Sequence, residues 1–188
     1  MTVPPLTIGP TRGPLLSRLA AALALRRDFY RAAAADRTAT GPAGAIVSLV
    51  ALLRESVLIW ELSQVERLWG LLLPVLVIVA LAAWLLLGGV AWVLTRPGLA
   101  APPDLRRLLR CLGFAQTPTA LLATLAAFSD PTAYLIGYAL VMLWTLAGLV
   151  VALQAATDLP LGAALLRAVP LLAVQGWLLV VGRQVALG

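Results

Sequence analysis

The sequence predicts an all-α, polytopic membrane protein with about five transmembrane spans and two amphipathic interfacial helices. Hydrophobic residues make up 62% of the 188 residues and charged residues only 12%. The mean hydropathy is +0.98, and a water-soluble domain needs more polar surface than so few charged side chains supply. Long apolar stretches alternate with short segments rich in arginine and proline, as expected for helices that cross a bilayer repeatedly.

Five apolar stretches define the predicted membrane domain, which covers residues 42–188. The spans are predicted at about residues 44–63, 68–94, 114–128, 131–156 and 162–187. The first contains Arg54 and Glu55, so it is either a span with two ionisable groups inside or a shorter re-entrant or interfacial element. We favour the span. The third is short, so part of the preceding helix is expected to enter the membrane.

Two basic segments are predicted to lie at the membrane surface. Residues 1–41 should form a proline-rich extended segment followed by an amphipathic cytoplasmic helix, from about residue 15 to residue 36. A second interfacial helix is predicted at residues 104–113, with Asp104 as its N-cap. The arginines expected to contact lipid headgroups are Arg26, Arg27, Arg106, Arg107 and Arg110.

The distribution of arginine predicts the orientation of the chain. Six arginines precede residue 40 and four lie between Arg96 and Arg110, whereas the loops at residues 61–67 and 129–131 contain only one. Because cytoplasmic loops carry the excess of positive charge, the N-terminus is predicted to be cytoplasmic and the C-terminus outside. The net charge of +6 comes from segments beside the apolar stretches, where a membrane protein is expected to carry it. The lipid bilayer is therefore the predicted partner, and no nucleic-acid partner is predicted.

The sequence lacks the residues that common catalytic and metal sites require. It contains no histidine, and Cys111 is the only cysteine. An intrachain disulfide, a Cys/His zinc site and a histidine-ligated haem are therefore excluded. Serines have neither a histidine nor a lysine to act as a base. We predict no enzyme activity, no cofactor and no metal.

Ionisable and polar residues within the predicted spans are candidate contacts with other helices or with partner proteins. Arg54 and Glu55 come first, because charges at membrane depth are costly. Adjacent residues do not face each other on a helix, so each is expected to pair elsewhere, or both reach the interface with their side chains. Gln154 and Gln175 are expected to bond to each other or to the backbone, or else to line a polar route.

Small residues on the fourth predicted span form a second kind of candidate contact. Gly148, Ala152 and Ala156 recur at every fourth position, which places them on one face of a helix. Such a stripe lets another helix approach closely. It is therefore a candidate for helix packing or for contact with a partner.

Four stretches of sequence occur in a recognisable order. They are ALRRDFYR at residues 24–31, LLRCLGFAQTP at residues 108–118, LWTL at residues 143–146 and VALQAATD at residues 151–158. This series resembles the Yip-domain (Yip/Yif) integral membrane proteins, especially their bacterial members, over about residues 23–180. The second stretch is the most specific of the four. The sequence departs from the family at residues 54–55, where related chains are mostly small and apolar.

The resemblance implies a five-span helical fold with a cytoplasmic N-terminus and no catalytic residue. Eukaryotic members are associated with small GTPases and vesicle traffic, partners that a bacterium lacks. We therefore expect a non-catalytic accessory, assembly or scaffold subunit of a bacterial inner (plasma) membrane, packed against other integral membrane proteins or a larger complex. The alternative is a small-solute or ion transporter or channel, in which Arg54, Glu55, Gln154 and Gln175 would converge on a wet cavity. A lipid-handling role would rest on the basic amphipathic helices alone.

Overall fold

The structure, a computed structural model, describes residues 14–56, 69–97, 99, 103–125, 128 and 130–187. All regular structure in these residues is helical, which confirms the predicted all-α class. The helices are α1 (Leu15–Leu23), α2 (Arg27–Ala35), α3 (Thr40–Arg54), α4 (Trp69–Thr95), α5 (Leu105–Ala115), α6 (Leu122–Leu125), α7 (Pro131–Thr157) and α8 (Leu161–Leu187). Short 3₁₀ turns at Arg37–Ala39 and Thr117–Leu121 precede α3 and α6.

Three helices in the described part of the chain are long and apolar enough to cross a membrane. They contain the stretches Leu73–Thr95, Pro131–Thr157 and Leu161–Leu178. These helices correspond to the second, fourth and fifth predicted spans. The membrane character of the chain follows from them, whereas the count of five spans stays a prediction.

The other two predicted spans differ from a single long helix. At the first, α3 has 15 residues and ends at Arg54, and residues 57–63 lie outside the described residues. At the third, the chain forms the end of α5, a 3₁₀ turn and the four-residue helix α6. Pro118 breaks the α-helix because it lacks a backbone N–H. The hydroxyl of Thr117 donates to Phe114 O at 2.7 Å and stabilises the turn.

Several helix ends meet at one end of the bundle. A short turn joins the end of α7 to the start of α8, and Arg167 near the start of α8 donates to Leu94 O at 2.9 Å and Pro97 O at 2.6 Å, at the end of α4. We call this the arginine end. We call the opposite end of the bundle the far end. There, α6 packs against the first turns of α7, and Leu125 contacts Gly137.

Helix α5 forms the centre of the core rather than an interfacial element. All eight residues from Leu108 to Ala115 are buried, and α5 packs against α2, α3, α4 and α7. The prediction that residues 104–113 ride on the headgroup layer is therefore wrong, although Asp104 caps the helix as predicted, accepting from Arg106 N at 3.0 Å. An amphipathic pattern shows only that one face is apolar, not whether lipid or protein covers it.

The N-terminal helix also differs from its prediction. A turn at Leu25, with φ of 52°, divides the expected helix at residues 15–36 into α1 and α2. Phe29 and Tyr30 on α2 are at most 1% exposed. The indole of Trp144, midway along α7, donates to Leu23 O at 2.9 Å. The apolar side of α2 thus packs against the protein instead of lying on the membrane, whereas Leu15 and Leu16 at the start of α1 are exposed.

Candidate functional site

Arg110 is buried in the middle of the arginine end. Its side chain donates to Ala34 O, in the last turn of α2, and the residue is only 4% exposed. A cation at this position is favourable because the carbonyls at a helix C-terminus carry partial negative charge. The next residue, Cys111, also contacts α2, because its Sγ donates to Tyr30 O at 3.6 Å. Burial also raises the pKa of Tyr30 above its ordinary value of 10.0, so the phenol stays protonated at neutral pH.

Two further arginines interact with helix C-termini in the same way. Arg107 Nη2 donates to Ala155 O at 3.1 Å, in the last turn of α7, and lies 3.9 Å from Asp158 Oδ2. Asp158 follows α7 with φ of 56°, the left-handed conformation that often ends a helix. Arg167 binds the end of α4 through the carbonyls described above. The arginine end therefore holds three guanidinium groups against the ends of three different helices.

The predicted headgroup contacts fall into two groups in the structure. Arg26, Arg27 and Arg106 are exposed, so their contact with lipid stays a prediction. Arg107 is partly exposed and bound to α7. For Arg110 the prediction is wrong, because its guanidinium is enclosed by protein and its hydrogen bond goes to the backbone of α2.

A cavity of about 110 Å³ lies between α2 and the last turns of α7. It is lined by Arg27, Arg31, Val151, Gln154, Ala155, Asp158 and Leu159. We call it the α2–α7 cavity. The Oε1 atom of Gln154 is buried and has no hydrogen-bond partner among the described residues. Gln154 therefore lies beside charged side chains and does not pair with Gln175.

The small residues of α7 face the core of the same chain. Gly148, Ala152 and Ala156 are all buried. A methyl group added to Gly148 would lie 3.4 Å from Ala115 O, which shows how closely α5 approaches. The stripe therefore serves packing between α5 and α7, and a separate partner protein has no access to it.

Arg54 and Glu55 form an ion pair near the far end. Arg54 Nε donates to Glu55 Oε1 at 2.7 Å, and the two side chains are 22% and 10% exposed. The expectation that adjacent residues do not pair is wrong here, because α3 ends at Arg54 and Glu55 follows with φ of −90° and ψ of 10°. The pair borders a cavity of about 300 Å³ that Leu122, Tyr134, Leu135, Tyr138 and Val180 also line.

Gln175 pairs with a residue that the sequence analysis did not single out. Gln175 Nε2 donates to Gln116 Oε1 at 2.6 Å, and Gln116 Nε2 returns a longer bond of 3.4 Å. Gln175 is 5% exposed. This reciprocal amide pair fixes α8 against the end of α5. The position of Gln116 just before the break at Pro118 was the available signal, because a polar side chain beside a helix break within a membrane domain needs a partner.

The polar residues of the spans do not converge on one site. Gln154 lies in the last turn of α7, and Tyr138 at the Arg54–Glu55 cavity lies on the same helix, about 24 Å away along its axis at 1.5 Å per residue. Gln116 and Gln175 form a third, separate contact. Among the described residues, no group of three or more Cys, Asp or Glu is arranged to hold a metal ion.

Comparison with known proteins identifies the family. No curated protein and no solved structure gives a significant match to the chain. The family model described as the Yip1 domain matches residues 18–182. This match covers most of the chain, from α1 to α8, and includes every helix of the arginine end. The protein therefore belongs to the Yip1-domain family of membrane proteins.

Proposed function

We propose that this protein is a non-catalytic accessory, assembly or scaffold subunit of a bacterial inner membrane, where it packs against other integral membrane proteins. The observation that carries the proposal is the separation of the polar residues described above. A transport route needs polar groups that line one continuous path. Here the ionisable pair, the glutamine pair and Gln154 occupy three places, and α5 fills the centre between them with buried Leu108, Leu112 and Phe114.

The outer surface of the bundle supports an interaction role. The three long helices expose large apolar side chains, including Ile78, Leu86, Leu135, Leu143, Leu166 and Trp177. Lipid tails or the apolar helices of another membrane protein are the surroundings that such side chains match. The polar groups of the interior serve helix packing instead.

Mild-detergent purification from the native membrane, followed by mass spectrometry of co-migrating proteins, tests this proposal. A stoichiometric larger complex is the expected result and would identify the process in which the protein acts. In-cell photo-crosslinking from Ile78 and Leu143, with a probe at buried Leu112 as the matched control, should capture the same partner only from the outward positions. A chain that migrates alone and gives no crosslink would contradict the proposal.

Transport of a small solute or ion is the alternative, and the 300 Å³ cavity at Arg54 and Glu55 is the observation in its favour. Two tyrosines on its wall, Tyr134 and Tyr138, stack with ring centroids 6.4 Å apart. Flux into vesicles that contain only this protein would favour transport if Arg54→Ala and Glu55→Gln abolish it while exposed Arg106→Ala does not.

We further propose that the N-terminus lies in the cytoplasm and the C-terminus outside. The cluster of arginines at one end of the bundle supports this orientation. Because Cys111 is buried, a membrane-impermeant maleimide should report only on introduced cysteines. Thr132→Cys, exposed at the start of α7, should react in intact cells, and Arg106→Cys only after the membrane is permeabilised. The opposite pattern would contradict this orientation.

A further inference from the structure

The α2–α7 cavity differs from the other arginine sites because its guanidinium groups are not bound to carbonyls at helix ends. Arg107, Arg110 and Arg167 each bind backbone carbonyls at a helix end. Arg27 and Arg31, by contrast, make no hydrogen bond or ion pair within the described part of the chain, and both line the cavity. They lie one turn apart on α2, so both guanidinium groups can reach one anion.

The two walls of the cavity have opposite hydrogen-bonding character. The α2 wall carries Arg27 and Arg31, which only donate hydrogen bonds. The α7 wall carries the Asp158 carboxylate and the buried Oε1 of Gln154, which has no partner among the described residues. A buried acceptor without a donor is unfavourable, so a ligand that supplies one is stabilised there. The matching ligand has an anionic group and, next to it, a hydrogen-bond donor.

The position of the cavity indicates where such a ligand comes from. Asp158 directly follows α7, one of the three helices long enough to span the membrane. The end of a span lies at the level of the lipid headgroups. The cavity, at about 110 Å³, has room for several water molecules and therefore for a phosphate group.

We propose that the α2–α7 cavity binds the headgroup of a phospholipid whose phosphate carries a hydrogen-bond donor, namely phosphoethanolamine or phosphoglycerol. The phosphate lies between Arg27 and Arg31. The ammonium group of phosphoethanolamine, or the two hydroxyl groups of phosphoglycerol, can donate to both Gln154 Oε1 and Asp158. Phosphocholine lacks this donor and leaves Gln154 unsatisfied. This site does not depend on whether the protein is an accessory subunit or a transporter.

Native mass spectrometry of the full chain in detergent, titrated with single defined phospholipids, tests the proposal. Phosphatidylethanolamine and phosphatidylglycerol are expected to bind more tightly than phosphatidylcholine. The double variant Arg27→Ala/Arg31→Ala should bind them about a hundredfold more weakly, because each of the two lost charge-assisted hydrogen bonds is worth roughly a factor of ten. The matched control Arg37→Ala/Arg96→Ala removes the same charge from exposed positions outside the cavity and should bind as the wild type does.

Two further measurements distinguish headgroup recognition in this cavity from binding of any phosphate group. Gln154→Leu should reduce the preference for phosphatidylethanolamine over phosphatidylcholine while retaining binding through the arginines. Inorganic phosphate, added at matched ionic strength, should not displace the lipid. Equal binding of phosphatidylcholine to the wild type, an equal loss in the control pair, or full displacement by inorganic phosphate would each overturn the proposal. Size-exclusion chromatography of each variant verifies that it is folded.

Discussion

The two ends of the bundle hold their arginines in different ways. At the far end, Arg54 is neutralised by a carboxylate, that of Glu55. At the arginine end, the guanidinium of Arg110 lies against the backbone carbonyl of Ala34, and Arg107 and Arg167 likewise bind carbonyls at the ends of α7 and α4. Helix C-termini thus supplement the acidic side chains in a chain that has 14 arginines and only 8 acids.

The largest loss of stability is expected when Arg110, the most buried of these arginines, is replaced. Arg110→Ala removes a charged hydrogen bond to Ala34 O and leaves that carbonyl without its donor. We expect the free energy of unfolding to fall by about 2–3 kcal/mol. Titration with a denaturing detergent, monitored by helical circular dichroism, measures this loss.

The neighbouring Arg106 provides the control for Arg110. It lies on the same helix but is exposed, so Arg106→Ala should change the free energy of unfolding by no more than about 0.5 kcal/mol. Arg110→Lys, which keeps the charge but loses the planar fork, should fall between the two. Equal losses in Arg106→Ala and Arg110→Ala would mean that the helix end does not stabilise the cation.

A smaller effect is expected at the far end. Arg54→Ala should lower the free energy of unfolding by about 1–2 kcal/mol, less than at Arg110 because the Arg54 side chain is 22% exposed and therefore partly screened. A double-mutant cycle with Glu55→Gln isolates the energy of the ion pair. A coupling energy near zero would show that the ion pair contributes nothing to stability. A larger loss of unfolding free energy for Arg54→Ala than for Arg110→Ala would reverse the order of the two ends.

The difference between the two ends also explains what the sequence predicted well and what it did not. Length and apolarity were enough to place α4, α7 and α8, because a span of about 20 apolar residues has few other interpretations. The capping role of Asp104 followed from its position before the helix. The arginine motif LLR at residues 108–110 was misassigned to the membrane surface because the partner of Arg110 is a backbone carbonyl, which every residue possesses and no sequence pattern marks.

The candidate sites show the same limitation. Gln154 and Gln175 were singled out as polar residues in predicted spans, but their partners depend on how the spans pack. Gln175 meets Gln116 because a helix break places that amide beside α8. The pairing of Arg54 with Glu55 depends on where α3 ends, and helix ends are the least predictable part of a helix.

The glutamine pair provides an uncharged reference for both ends. Gln175→Leu breaks its bonds to Gln116 and should lower the free energy of unfolding by about 0.6 kcal/mol, the average for hydrogen bonds between membrane helices. The double variant Gln116→Leu/Gln175→Leu should lose less than the sum of the two single variants, because no unpaired amide remains. Strict additivity in the same denaturation assay would contradict an energetic coupling between the two side chains.

The smallest effect at neutral pH is expected for Tyr30, whose backbone carbonyl accepts from Cys111, the residue next to Arg110. Its hydroxyl donates a long bond of 3.4 Å to Ala22 O, so Tyr30→Phe should cost less than about 0.5 kcal/mol at pH 7. Its pKa is raised by burial. A raised pKa means that the unfolded chain releases the phenol proton first, so wild-type stability should fall as the pH rises above about 10.

Tyr30→Phe cannot lose this proton, so the difference in stability between wild type and variant should shrink and then reverse in sign as the pH increases. Tyr134→Phe, on the partly exposed tyrosine of the far end, is the matched control. A wild-type advantage that stays constant up to pH 11 would show that the phenol is reached by water, and that the interior of the arginine end is wetter than its packing indicates.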